Sequence, residues 1–251
     1  MTTSEIMVGV ESSKYSALRP DSDVREALLA NLAPGETITA TDLPRVKTPA
    51  GGGKMWGWID AGNNDQSAKS IDGILVYYGL RGTLWGSDEI SKGVQPVLIS
   101  YDLQTAVRVG DDLGDIDPDV LETCRTGDRT YDWTRLPQNQ YGTGRNGIGK
   151  RCKESRLLAI LREGEMWPLL VTAGVGSLKT VCPFVRRLSV PHYRAVVSLT
   201  LEKAESSGGI DYSQIVPKLI GTISKEEGEV VRKLYTEPLS RIATQFDVSQ
   251  D

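Results

Sequence analysis

The clearest hydrophobic patterning lies toward the C-terminus. There the runs SRLLAIL, WPLLVTA, YRAVVSLTLEK and YSQIVPKLIGTI concentrate branched and long apolar side chains, and the turn sequences REGE and ESSGG punctuate them, so four strands are predicted. Between the second and third, SLKTVCPFVRRL has helical spacing, with Ser177 placed to cap it and Pro183 to kink it or end its first turn. A last helix is predicted from Ser224 to Phe246, because Ser224 and Glu227 have the spacing of a capping box. It is amphipathic, and Pro238 is expected to kink it.

Upstream, IDGILVYYGLRGTLW and VQPVLISYDLQTAVRV are rich in β-branched and aromatic residues and predict two or three strands. Residues 110–144 are the least regular part, with one short helix predicted from Pro118 to Cys124, entered at Asp117. The first fifty residues are polar and turn-rich, apart from a helix candidate from Ser22 to Leu32 striped by Val24, Leu28, Leu29 and Leu32. Residues 1–66 therefore read as a partly ordered N-terminal arm, and 67–251 as the folded domain. With QPVLISYDLQTAVRV counted first, the order becomes β, β, β, α, β, β, which is that of an OB-fold barrel. The expected fold is mainly β with α elements (α+β): an OB-fold-like five-stranded barrel with extra N-terminal strands and a C-terminal helix.

Composition narrows the function. A chain of 251 residues, 39% hydrophobic and 25% charged, buries a full core without disulfide or metal staples. Its longest apolar stretches, Leu157 to Leu161 and Leu169 to Ala173, fall far short of the roughly 20 residues a bilayer needs. The opening MTTSEIMVGVESSKYS has the features of no secretory leader, so the expected location is the cytoplasm. Cys124, Cys152 and Cys182 are scattered and read as reduced thiols. The single histidine, His192, leaves little room for metal-dependent, serine–histidine or cysteine–histidine chemistry. It reads as a polar strand end. The run Asp111, Asp112, Asp115, Asp117 and Asp119 lacks EF-hand spacing and reads as a solvated acidic loop. Neither an enzyme nor a cofactor is expected.

Charge changes the picture more. The net charge is −4, yet between Arg145 and Arg187 nine basic residues face three acidic ones, leaving the remainder ten negative. Such asymmetry is the footprint of a phosphate-tracking groove. Five tryptophans and nine tyrosines supply the second requirement of single-strand binding, flat rings on which bases stack. The candidate nucleic-acid contacts are Trp56, Trp58, Tyr78, Arg81, Trp85, Arg145, Lys150, Arg151, Lys153, Arg156, Arg162, Trp167, Arg186, Arg187 and Arg194. Strand alternation would put Arg151 and Lys153 on one face, with Lys150 and Arg156 on the other.

One motif competes with that reading. GTGRNGIGKR, Gly142 to Arg151, satisfies GxGxxG and most of a phosphate loop, leaving a nucleotide-binding enzyme as the alternative. Arg151 stands where such a loop needs Ser or Thr, and a strand follows where a helix is required. A phage structural or interaction protein is a third reading.

The run GIGKRCKESRLLAILREGEMWPLLVTAGVGSLKTVCPFVRRL, followed by YRAVVSLTLEKAESSGGIDYSQIVPKLIGTIS, resembles the OB-fold single-stranded DNA-binding proteins of tailed bacteriophages and prophages. About a third of the chain carries the resemblance. It implies an OB barrel, sequence-independent binding of single-stranded DNA and a role in phage replication or recombination inside the bacterial host. Other replication or recombination proteins are then natural partners, and self-association stays open. The ending QFDVSQD lacks the glycine-rich linker and acidic, Phe-tipped tail of well-known bacterial single-strand binders, so recruitment through such a tail is not expected.

Overall fold

A computed structural model describes residues 42–59, 64–87, 94–206 and 208–242, together with Lys14, Tyr15, Leu18, Arg19, Glu26 and Ala30. The helix candidate from Ser22 to Leu32 lies outside the described residues except for Glu26 and Ala30, which are helical. The fold is mainly β, with a mixed sheet and a C-terminal helical segment. Among the described residues the chain packs as two units, one made of those up to residue 78 together with 157–242, the other of 79–156. The region 67–251 thus contains a unit of its own at 79–156.

The first unit is built on strands β1 (Arg45–Lys47), β2 (Trp56–Ile59), β3 (Asp65–Ala68), the first part of β4 (Ser70–Leu84), most of β8 (Lys153–Leu161), β9 (Leu169–Ala173), β10 (Ala195–Glu205) and β11 (Asp211–Thr222). Their order is β3-β2-β1-β9-β8-β4-β10-β11, with β1 parallel to β9 and β10 antiparallel to both β4 and β11. The long apolar runs at Leu157–Leu161 and Leu169–Val171 are wholly buried, as expected of strands covered on both faces. Trp56, Ile71, Leu75, Leu158, Ile160, Val197, Leu199 and Ile215 form the heart of this core.

Helix α2 (Val175–Arg186) crosses between β9 and β10. Its N-cap is Gly174, with no side-chain cap, and it runs through Pro183 without ending. Ser177 therefore has a different task from the predicted one: its hydroxyl accepts the Ile215 N–H at 2.9 Å, while the Thr180 hydroxyl donates to the Ile215 carbonyl at 2.5 Å. These bonds satisfy the outer edge of β11, and Pro217 two residues on has no N–H to offer there.

The C-terminal segment starts at the predicted capping box, with Ser224 and Glu227 bonded reciprocally. It then divides into α3 (Lys225–Val231), a π-turn (Arg232–Thr236) and α4 (Glu237–Ile242). Pro238 cannot donate to the carbonyl four residues back and its ring crowds it, so the wider turn takes the place of a simple kink. The Tyr235 hydroxyl donates to the Met166 carbonyl at 2.9 Å, and the Thr236 hydroxyl to that of Val76 at 2.6 Å.

The second unit holds the far end of β4, then β5 (Leu98–Ser100), β6 (Thr105–Arg108) and β7 (Thr130–Asp132), each antiparallel to its neighbour. The run QPVLISYDLQTAVRV is thus a hairpin, where one barrel strand was expected. Asp102 breaks it: its carboxylate accepts the Gln104 and Thr105 amides at 2.8 and 2.7 Å, and Leu103 adopts a left-handed φ of 59°. Helix α1 (Pro118–Glu122) follows, capped by Asp117 as predicted. Leu84, Leu98, Tyr131, Trp133, Leu136, Cys124 and Cys152 are buried together. Among the described residues no helix is long and apolar enough to cross a membrane.

Candidate nucleic-acid interface

The most exposed aromatic side chain among the described residues is Tyr141, 84% exposed, on the glycine-rich segment that joins the Pro137–Asn139 turn to β8. This loop is extensively hydrogen-bonded. The Gly142 and Gly144 amides both donate to the Gly149 carbonyl, at 2.8 and 3.1 Å, and the Gly147 and Ile148 amides donate to Gly144 and Arg145 carbonyls. Below them the Thr143 hydroxyl accepts the Arg151 amide at 3.1 Å, and the Cys152 amide donates to the Gln138 carbonyl. Glycine is required twice over: a Cβ at Gly144 would lie 2.1 Å from the Ile148 carbonyl, and Gly149 has a φ of +69°.

Around this frame stand Tyr141, Ile148 (63% exposed), Arg145 and Lys153, all solvent-facing. The Lys150 ammonium lies 5.6 Å from the centre of the Tyr141 ring and donates to Asn139 Oδ1 at 3.2 Å and Glu154 Oε1 at 3.4 Å. Lys153 is tethered at its tip, donating to the Lys150 carbonyl at 2.7 Å. Arg156 donates to the neighbouring Ser155 carbonyl at 2.8 Å.

Arg151 is spent inside the second unit. Its guanidinium donates to the Trp85 and Gly86 carbonyls at 3.2 and 2.8 Å and pairs with Asp115, holding the end of β4 to the start of β8. Trp85 is half-buried beside it. The acidic run has structural tasks of the same kind: Asp112 accepts the Gly114 amide, Asp117 caps α1 and Asp111 pairs with Arg129. Burial pushes the Cys152 thiol up to about 12, which keeps it protonated. Among the described residues, no group of three or more His, Cys, Asp or Glu side chains is arranged to hold a metal.

Three expected contacts are core residues. Trp56 is fully buried and its indole donates to the Leu199 carbonyl at 2.9 Å; Trp58 and Arg81 are 8% and 3% exposed. A buried ring has no face to offer a base. Period-two alternation places both tryptophans on the inner face of β2, and β1 and β3 flank that strand on either side. Tyr78 packs against the same core, its hydroxyl donating to Cys182 Sγ at 3.5 Å. In the first unit Arg162 and Trp167 are half-buried, as is Arg194, whose Nε donates to the Ile223 carbonyl at 3.2 Å. Arg186, whose Nε donates to the Cys182 carbonyl, and Arg187 are exposed at the end of α2.

Of the expected set, then, Arg145, Lys153, Arg186 and Arg187 are exposed, two on each unit. Tyr141 and Ile148 were missed, although an aromatic amid NQYGTGRNG, where no strand or helix periodicity directs it inward, was a readable signal. Comparison of the chain with protein-family models, curated proteins and solved structures finds no match in any of the three.

Proposed function

We propose that the protein binds single-stranded DNA with little sequence preference, through the loop of residues 140–153, and that it is not an enzyme. The observation that carries this reading is the exposed Tyr141 ring beside a lysine, on a hydrogen-bonded loop that also presents Arg145 and Lys153. An exposed ring stacks on an unpaired base, which a duplex does not offer, and nearby cations neutralise the backbone.

The strand order lends support. Within β9-β8-β4-β10-β11, with α2 between β9 and β10, β4 takes the place of an OB barrel's first strand and β8 that of its second. Such a barrel is left open, because β1 pairs with β9 and α2 bonds the edge of β11. The second unit then occupies the connection between the first two barrel strands, one of the connections that OB folds use to hold oligonucleotides. The resemblance to phage single-strand binders points the same way, toward replication or recombination. A phosphate-cradling loop finds less support, since the Gly142, Gly144, Gly147 and Ile148 amides are all used within the loop.

Fluorescence anisotropy of labelled oligo-dT, with a duplex of equal length as control, tests the reading at low and high salt. Binding of the single strand that weakens steeply with salt is expected. A single strand left unbound at low salt would sink the proposal.

A further inference from the structure

Lys150 stands at the centre of the loop, and its surroundings differ from those of a phosphate ligand. A lysine ammonium carries three N–H donors and no acceptor. Here Asn139 Oδ1 takes one at 3.2 Å and Glu154 Oε1 another at 3.4 Å, and the Tyr141 ring lies within cation–π reach at 5.6 Å. Glu154 also offsets its charge, both side chains being only 28% exposed. Little is left with which to hold a phosphate.

What the arrangement does well is hold a ring. The Asn139 side chain donates in turn to the carbonyl of Trp133, at 3.1 Å, and Trp133 is buried in the second unit's core. A chain of contacts thus runs from the core through Asn139 and Lys150 to Tyr141. The ammonium attracts one face of the ring, and the 84% exposure of Tyr141 leaves the other open. One open face accepts one base, of any identity.

We infer that Lys150 is the positioning residue of a single-base stacking platform at Tyr141 and not a phosphate contact of the loop. The inference rests on the single-strand reading above.

Oligo-dT affinity and its salt dependence, measured for the wild type, Tyr141→Ala, Tyr141→Phe, Lys150→Met, Lys150→Arg and the double variant Tyr141→Ala/Lys150→Met, form the test. Melting curves confirm that each variant is folded. Tyr141→Ala is expected to bind about 5- to 150-fold more weakly, the range for loss of one stacked base, with an unchanged salt slope. Tyr141→Phe retains binding. Lys150→Met weakens binding by a smaller factor, leaves the slope alone and adds nothing in the Tyr141→Ala background, and Lys150→Arg restores most of the loss. A slope reduced by about 0.7 in Lys150→Met, the signature of one lost contact to single-stranded phosphate, and undiminished in the Tyr141→Ala background, would make Lys150 a phosphate ligand and overturn the inference. So would wild-type affinity in Tyr141→Ala, while leaving single-strand binding itself intact. A wild-type protein that binds no oligo-dT at all would remove both.

Discussion

The Arg162 guanidinium lies 4.7 Å from the centre of the Trp58 ring and also donates to Glu165 at 2.9 Å. Both Arg162 and Trp58 had the residue types of a DNA contact, yet within the first unit they serve each other. Trp58 is 8% exposed, so the cation covers the outward part of a core ring. Arg162→Ala should lower stability by about 1 kcal/mol, the range for a partly desolvated cation–π pair. Urea unfolding checks this, through a shifted midpoint at an unchanged slope. An unmoved midpoint would show the contact to be energetically idle.

Arg151 should be costlier to remove. Arg151→Met strips partners from the Trp85 and Gly86 carbonyls and from Asp115, and about 2–3 kcal/mol is expected where such bonds to a charged group are only partly replaced by water. Arg151→Lys should recover only part of this, because a point charge cannot reproduce the planar fork that reaches several acceptors. Equal stability of the lysine variant and the wild type would contradict that geometry.

Ser177 offers a test that separates two roles for one hydroxyl. As a cap it would protect the first amides of α2; as an edge partner it protects the Ile215 amide, to which it is bonded at 2.9 Å. Ser177→Ala should therefore accelerate hydrogen exchange at Ile215 and leave the first turn of α2 unchanged. The loss, about 1–3 kcal/mol for an unsatisfied buried N–H, is offset by about 0.5 kcal/mol from alanine's better helix propensity. Faster exchange confined to the helix start would restore the capping role.

These cases show what was legible in the sequence. The strands from Lys153 onward were readable because their apolar runs are continuous and bounded by turns. The capping box at Ser224 was readable because it is closed within four residues. By contrast, the burial of Trp56 depends on strands that meet across long sequence separations, as when Val46 pairs with Val171. Local pattern shows that Trp56 and Trp58 share a face, and only the tertiary pairing decides that the face is inward. Asp102 failed as a turn signal for the opposite reason: strong β formers on both sides outweighed one Asx residue. At the candidate site, net basicity singled out a stretch of chain, but it could not tell an exposed side chain such as Arg145 from Arg151, whose guanidinium is bonded to carbonyls.

His192 makes stability depend on pH in a way that a polar strand end would not. It starts the short turn before β10, its Nε2 is buried without a hydrogen-bond partner, and burial pushes the imidazole below its ordinary value of 6.5. The folded protein therefore holds this proton less tightly than the unfolded chain does. Above pH 6.5 the group is neutral in both states and folding loses nothing; as pH falls below 6.5 the unfolded chain takes up the proton first, and stability declines until the folded-state value is passed. His192→Gln, which cannot be protonated, should remove that part of the decline. The measurement is the urea midpoint of both proteins between about pH 7.5 and pH 5, a window in which His is the side chain whose ordinary value falls. The two curves should diverge on acidification, the wild type falling faster, and parallel curves would show that the imidazole reaches water in the folded state.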